Sequence, residues 1–235
     1  MSFKALEELS GKLANLELLA KNKESDEEVN QWLDKCVHEV AAKLDVMVEE
    51  LETKPDSGKK RRTTVEVTKG FEQTAFFKAV EDNNLQLVDE LLALPQVQID
   101  ARDSNDMKNT ALIKASRRNL KEMCLLLLLH KADVDMINAL RETALIIAVK
   151  ESNKELVKLL LINGAKVNDT DCNGWSALHF ACKNNNRSLV KLLCNQDDIH
   201  TGLKNFNGDG PGYLTTSESI QDIFADDPFY DGTFD

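Results

Sequence analysis

Apolar positions between residues 110 and 193 fall into two alternating kinds of stretch. One is short and carries small residues, as in Ala144-Leu145-Ile146-Ile147-Ala148-Val149. After a polar break at Glu151-Ser152-Asn153 comes the other, with Leu156, Val157, Leu159, Leu160 and Leu161, ended by Asn163-Gly164. Wound as a helix, the first puts Leu145, Ala148 and Val149 on one face, where the small Ala148 lets a neighbour approach. The second is too apolar to stand alone in water and is expected between neighbouring units. Gly164 supplies the left-handed stop, since glycine accepts positive φ without a Cβ clash.

Near the N-terminus the pattern is different. Phe3, Leu6, Leu9, Leu13, Leu16 and Leu19 recur every three or four residues, predicting a helix over 2–22 that Gly11 weakens. Ser25-Asp-Glu-Glu28 has the form of a capping box and opens a second helix. Its apolar line is Val29, Leu33, Cys36, Val40, Leu44, Met47 and Leu51, with Trp32 beside it. Two readings stand: a helical hairpin packing on itself or on the first repeat, and a coiled-coil seam making a homodimer through residues 25–54.

The alternation after residue 110 is a repeat. Thr143-Ala-Leu-Ile-Ile-Ala148 returns 33 residues later as Ser176-Ala-Leu-His-Phe-Ala181 and follows Thr110-Ala-Leu-Ile-Lys-Ala115 by the same distance. Leu156-Val-Lys-Leu-Leu160 likewise returns as Leu189-Val-Lys-Leu-Leu193, and Ala132-Asp-Val-Asp135 as Ala165-Lys-Val-Asn168. A fainter unit starts at Thr74-Ala-Phe-Phe-Lys-Ala79, 36 residues before Thr110, which puts about three extra residues in the loop 94–107. These residues resemble the ankyrin repeat, whose first helix opens with T-P-L-H-x-A. The resemblance implies an all-α ankyrin-repeat solenoid of four repeats plus a capping remnant over roughly 71–224, with Ser217–Phe224 as a short capping helix. Alanine replaces the family's proline at Ala75, Ala111, Ala144 and Ala177, and Pro95, Lys131 and Asp197 stand where Gly164 stands. Irregular helix ends and lower stability are expected from these departures. The chain divides into an N-terminal helical segment (1–54), a basic linker (55–70), the repeats (71–224) and an acidic-aromatic tail (225–235).

Charge narrows the function. Net charge is −11. Residues 71–196 balance at 16 bases and 16 acids, while 197–235 carry one base against nine acids. Such a chain lacks the basic footprint of a nucleic-acid binder. The longest uncharged apolar run, Met123–Leu129, is too short to enter a membrane as a span, and the first residues carry acids where a signal peptide needs apolar ones. Cys36, Cys124, Cys172, Cys182 and Cys194 make an odd set, mostly on apolar helix faces, and read as reduced thiols of an intracellular protein. The expected location is the cytoplasm, with the nucleus as alternative: Lys59, Lys60, Arg61 and Arg62 are a nuclear import candidate, and Thr64 behind Arg61-Arg62 is a phosphorylation candidate.

Little chemistry is left. Cys172, His179, Cys182 and Cys194 lack the spacing of a zinc module, and His179 occupies the repeat motif's own histidine place. His38, His130 and His200 read as solvated or capping residues. With no phosphate loop, nucleophile elbow or paired catalytic carboxylates, no enzyme, cofactor or metal is expected.

The ankyrin resemblance implies protein partners, met at the hairpin tips and along the exposed face of each first helix. In this register the tips are Asp106-Met107, Ala139-Leu140, Cys172-Asn173 and Phe206-Asn207, with Asn109, Glu142 and Trp175 just before the first helices. The helix positions form a basic row of Arg117, Arg118, Lys150 and Lys183, with Lys114 nearby, and Leu140 and Trp175 offer large apolar anchors. The expected function is a protein-binding adaptor or regulator that docks a partner's acidic or acidic-aromatic segment on the concave face. The alternative is an oligomeric scaffold joined by its N-terminal helices. The chain's own tail, with Asp227-Pro228-Phe229, has the composition such a face would take.

Overall fold

Helices come in pairs along the chain: α1 (Phe71–Glu81) with α2 (Leu85–Leu92), α3 (Ala111–Arg117) with α4 (Lys121–Leu129), α5 (Ala144–Lys150) with α6 (Lys154–Ile162), and α7 (Ala177–Lys183) with α8 (Arg187–Cys194). A 3-10 turn, Pro211–Leu214, and a last helix, α9 (Glu218–Phe224), follow. This is the computed structural model, which describes residues 71–224. The chain divides into two compact units, Met1–Glu66 and Val67–Asp235, and the described residues belong to the latter. The predicted N-terminal helices, Lys59 to Arg62, Thr64 and the tail 225–235 lie outside the described residues.

Each unit is built by the same local devices. Thr110, Thr143 and Ser176 sit in extended backbone, and the side chains of Thr110 and Thr143 accept from the N–H of Ile113 and Ile146. Ser176 forms a reciprocal capping box with His179, whose Nδ1 lies 3.1 Å from the Ser176 backbone nitrogen. The helices of a pair are joined through one left-handed residue: Asn83, Asn119, Ser152 and Asn185 take φ between 51° and 57°. The N–H of the next residue then reaches back to the carbonyl of Ala79, Ala115, Ala148 or Ala181, at 2.9–3.0 Å. That is a Schellman closure with asparagine or serine in the place glycine usually takes. Asn84, Asn153 and Asn186 cap α2, α6 and α8 by accepting from the N–H three residues on. Leu120 holds the equivalent place in the second unit and offers no side-chain cap.

The stop after the second helix shows what the missing glycine means. Gly164 takes φ +84°, and Lys131 is held at φ +67° in the equivalent place. Both are followed by the same closure, Ala165 N–H to Leu160 and Ala132 N–H to Leu127, each 3.0 Å. The expected irregularity at Lys131 is a strained non-glycine residue rather than a broken helix end.

The core runs continuously between units. Leu112, Ile113, Met123, Leu127, Leu145, Ile146, Leu156, Leu159 and Leu160 are fully buried, and Ala79, Ala115, Ala148 and Ala181 let the paired helices close. At the C-terminal end the first helix of a fifth unit is reduced to the 3-10 turn packed on α7, and Ile220 and Phe224 of α9 cover the α8 side. At the other end α1 already includes Phe71, so Thr74 lies exposed inside the helix rather than at its start. The residue before it, Gln73, instead exchanges bonds of 2.8 and 3.0 Å with the backbone of Gln98, tying down the long loop between the first two units.

Candidate protein-binding face

The hairpins between units are set by a residue that was not singled out from the sequence. Asn138 Oδ1 accepts from the N–H of Leu140 and of Glu142, both at 2.9 Å. Asp171 does the same for Asn173 and Trp175, and Asn205 for Asn207 and Asp209, at 2.8–2.9 Å. Asp103 makes the first of these bonds, to the Asn105 N–H. Each is an Asx turn, which folds the hairpin on its own backbone. Successive tips are then joined by single backbone bonds: Ala139 N–H to the Met107 carbonyl, Cys172 to Leu140, and Phe206 to Asn173, at 2.8, 2.8 and 3.1 Å. This row exposes Met107, Leu140 and above all Phe206, which is 79% exposed. The Phe206 ring lies against Gly174, where a Cβ would come within 2.9 Å of it, and Gly174 also has φ +77°.

Behind the tips, the first helices present the basic row, and its members have different fates. Lys114 does not belong to it. Its side chain is buried, with Nζ 2.6 Å from Glu81, 2.8 Å from Asp106 and 3.0 Å from Asp103. Burial works against the charge, but the bonds to Asp106, Glu81 and Asp103 outweigh it and raise the ammonium pKa. Asp106 is correspondingly lowered, chiefly by its bond from Lys114. These three carboxylates lie within 4.8 Å of one another, so the lysine is the cation that lets them coexist.

Glu142 and Asn109, placed before their helices as exposed contact positions, are also buried, at 3% and 0% exposure. Their hairpins turn both inward. Asn138 Nδ2 donates to Asn109 and to Glu142, at 3.1 and 2.8 Å. Glu142 further pairs with Lys150 at 2.6 Å and with Arg117 at 3.4 Å. Burial by itself would raise this carboxyl; the bonds from Lys150 and Asn138 and the charge of Arg117 prevail and lower it. Arg118 is exposed and donates to the Glu81 carbonyl.

Arg117, Lys150 and Lys183 hold the same place in three consecutive units, and so do Glu142 and Trp175 in two. In the third unit Lys150 therefore meets a carboxylate. In the fourth the corresponding cation, Lys183, meets an indole, its Nζ 4.8 Å from the ring centroid. Lys150 Nζ also stands 5.1 Å over Phe180, and the Trp175 and Phe180 rings meet at 5.1 Å, tilted by 39°. Lys150, Asp171, Asn173, Trp175, Phe180 and Lys183 line an open depression of about 270 Å³. The structure thus brings together three of the expected contact residues, Lys150, Trp175 and Lys183; Arg117 reaches them through Glu142, while Arg118 and Leu140 do not line the depression. Trp175 is half-buried, its ring centroid 5.9 Å from that of His179 and tilted by 45° to it.

The histidines and thiols have structural surroundings. His179 is buried and held below the usual histidine range by that burial. His130 Nε2 lies 2.7 Å from an Asp89 carboxylate oxygen, so it is not isolated as expected. Burial pushes the Cys124 thiol up to about 12 and raises Cys182 further, while Cys172 sits exposed at a hairpin tip.

A family model described as ankyrin repeats (3 copies) matches residues 16–138 and 124–205. Comparison with curated proteins finds no match. Among the described residues no helix is long and apolar enough to cross a membrane.

Proposed function

From the premise that the chain belongs to the ankyrin repeat family, we propose that it is a non-enzymatic adaptor or regulator that docks a partner protein's acidic segment at the depression between its third and fourth repeats. Ankyrin repeats serve protein–protein interaction, and such stacks are scaffolds whose specificity lives in surface residues. The observation that carries the choice of place is the arrangement of Lys150, Phe180, Trp175 and Lys183. There two ammoniums lie over two rings that touch each other. Such a surface offers charge to an anion and apolar area to its neighbour side chain, which is how interface anchors act. The exposed row Met107, Leu140 and Phe206 runs beside it along the hairpin tips and extends the area available to a partner. We place this work in the cytoplasm, with Lys59–Arg62 giving access to the nucleus, on the strength of the cysteine usage and the basic run.

The test compares full-length baits purified from the protein's own cells by quantitative mass spectrometry. Trp175→Ala and Lys183→Glu should both lose the same partners while keeping the wild-type thermal melt. Ile162→Ser, an exposed position on α6, should keep them. Retention of every partner by both variants would refute the site.

A further inference from the structure

We infer that this depression selects a segment with a singly charged carboxylate beside an apolar or aromatic side chain, and that buried Glu142 sets that selection against phosphorylated segments. The inference rests on the docking reading above and names its ligand chemistry.

The charges around the depression are few enough to follow one by one. Three cations face it or stand behind it, Arg117, Lys150 and Lys183, against two buried acids, Glu142 and Asp171. The local balance is one positive charge. Asp171 is held in place by the N–H groups of Asn173 and Trp175. Glu142 is held by Asn138, Lys150 and Arg117, so neither acid can swing away when an anion arrives. Lys150 and Arg117 share one carboxylate between them. Lys183 makes no ion pair among the described residues and rests over the indole instead.

An incoming carboxylate therefore finds one uncompensated ammonium and brings the site to neutrality. A phosphate group carries up to two negative charges near neutral pH. It would add a surplus negative charge beside two fixed carboxylates. The side chain next to the carboxylate meets Trp175 and Phe180, whose contact leaves part of the indole accessible. Glu142 acts as the selector because it is the one buried acid that takes two of the three cations. Glutamine in its place keeps the size and an acceptor oxygen for Asn138, but raises the local balance to two positive charges.

Two fluorescein-labelled peptides test this with the full chain: GSDPFYGS, and the same peptide with phosphoserine in place of its aspartate. Fluorescence anisotropy at low salt should show the aspartyl peptide bound about threefold or more tightly by the wild type, the scale of one partly exposed charge interaction. In Glu142→Gln the phosphoseryl peptide should bind as tightly as the aspartyl one or more so. Should that variant fail to fold, Lys150→Met, which lowers the balance by one, should weaken both peptides and the phosphoseryl one more. Tighter binding of the phosphoseryl peptide by the wild type, or a preference that neither variant shifts, would overturn the inference. Binding of neither peptide at millimolar concentration would overturn it too; the docking site itself is judged separately, by the partners that Trp175→Ala and Lys183→Glu lose.

Discussion

Replacing Lys114 with methionine should cost far more than replacing a surface lysine, and acid should relieve the cost. The ammonium sits between α1 and the long hairpin before α3, contacting Glu81, Asp103 and Asp106 at 2.6–3.0 Å, with its side chain 4% exposed. Methionine fills much the same space but leaves three carboxylates within 4.8 Å of each other. Removing one partner of a buried ion pair costs about 3–5 kcal/mol. Here Glu81 and Asp106 are more than a third exposed, so solvent screens part of their repulsion, and about 2–3 kcal/mol is the expected loss at pH 7. The sign with pH follows from the carboxyls. In the wild type Asp106 has a lowered pKa, so its contribution is full above the ordinary value of 3.8 and is lost as pH falls below that. In the variant the three acids face one another without a cation, so acidification relieves part of their repulsion and the cost shrinks. Urea unfolding followed by circular dichroism at pH 7 and pH 4.5 reads both effects. A loss under about 1 kcal/mol at pH 7, or a loss that grows on acidification, would refute the buried-cation account.

Leu160→Ala should cost roughly 2–5 kcal/mol in the same assay, because Leu160 is fully buried between units and nothing can fill its place. His179 has a depressed pKa, so its stabilising effect is full above about 6.5 and is lost as pH falls through its lower folded value; His179→Gln should flatten the stability profile between pH 7 and 5. Alanine at Lys59, Lys60, Arg61 and Arg62 should move a large fluorescent fusion out of the nucleus, and an unchanged distribution would make the run a plain linker. Deleting residues 225–235 should tighten peptide binding at low salt and change it little at high salt, if the acidic tail competes for the same face.

The helix pairs were legible because each unit repeats its apolar residues at a fixed distance, so Leu160 could be placed between units from the echo at Leu193 alone. The capping threonines were legible for the same reason. What escaped was whatever depends on residues converging from different units. Lys114 reads as one more cation on a basic row until Glu81, 33 positions earlier, and the hairpin acids Asp103 and Asp106 are folded onto it. Glu142 and Asn109 stand where a register argument exposes side chains, yet the Asx turn at Asn138 draws both inward. The turn residues alternate between aspartate and asparagine and recur at 35, 33 and 34 positions, Asp103, Asn138, Asp171 and Asn205, so their period is blurred. The first unit differs in another way: Thr74 matches Thr110 and Thr143 in sequence, but it lies inside a helix that already includes Phe71.

These convergences change how charge is distributed along the row on the first helices. Counting cations gives a basic strip; pairing each with its neighbours leaves most of it neutral. Arg117 and Lys150 share Glu142, Lys121 of α4 pairs with Glu155 of α6 at 3.2 Å, and Lys114 is outnumbered by acids. These cations join one repeat to the next or a helix to its own hairpin, so their charge is already used in holding the stack. The fourth unit breaks the rule at a single position. Where the third has Glu142 below Lys150, the fourth has Trp175 below Lys183, and an ion pair is replaced by a cation over a ring. A ring holds an ammonium in place without cancelling its charge. The one substitution of indole for carboxylate thus both orients Lys183 and leaves it able to meet an anion. It also puts apolar area directly beside that charge.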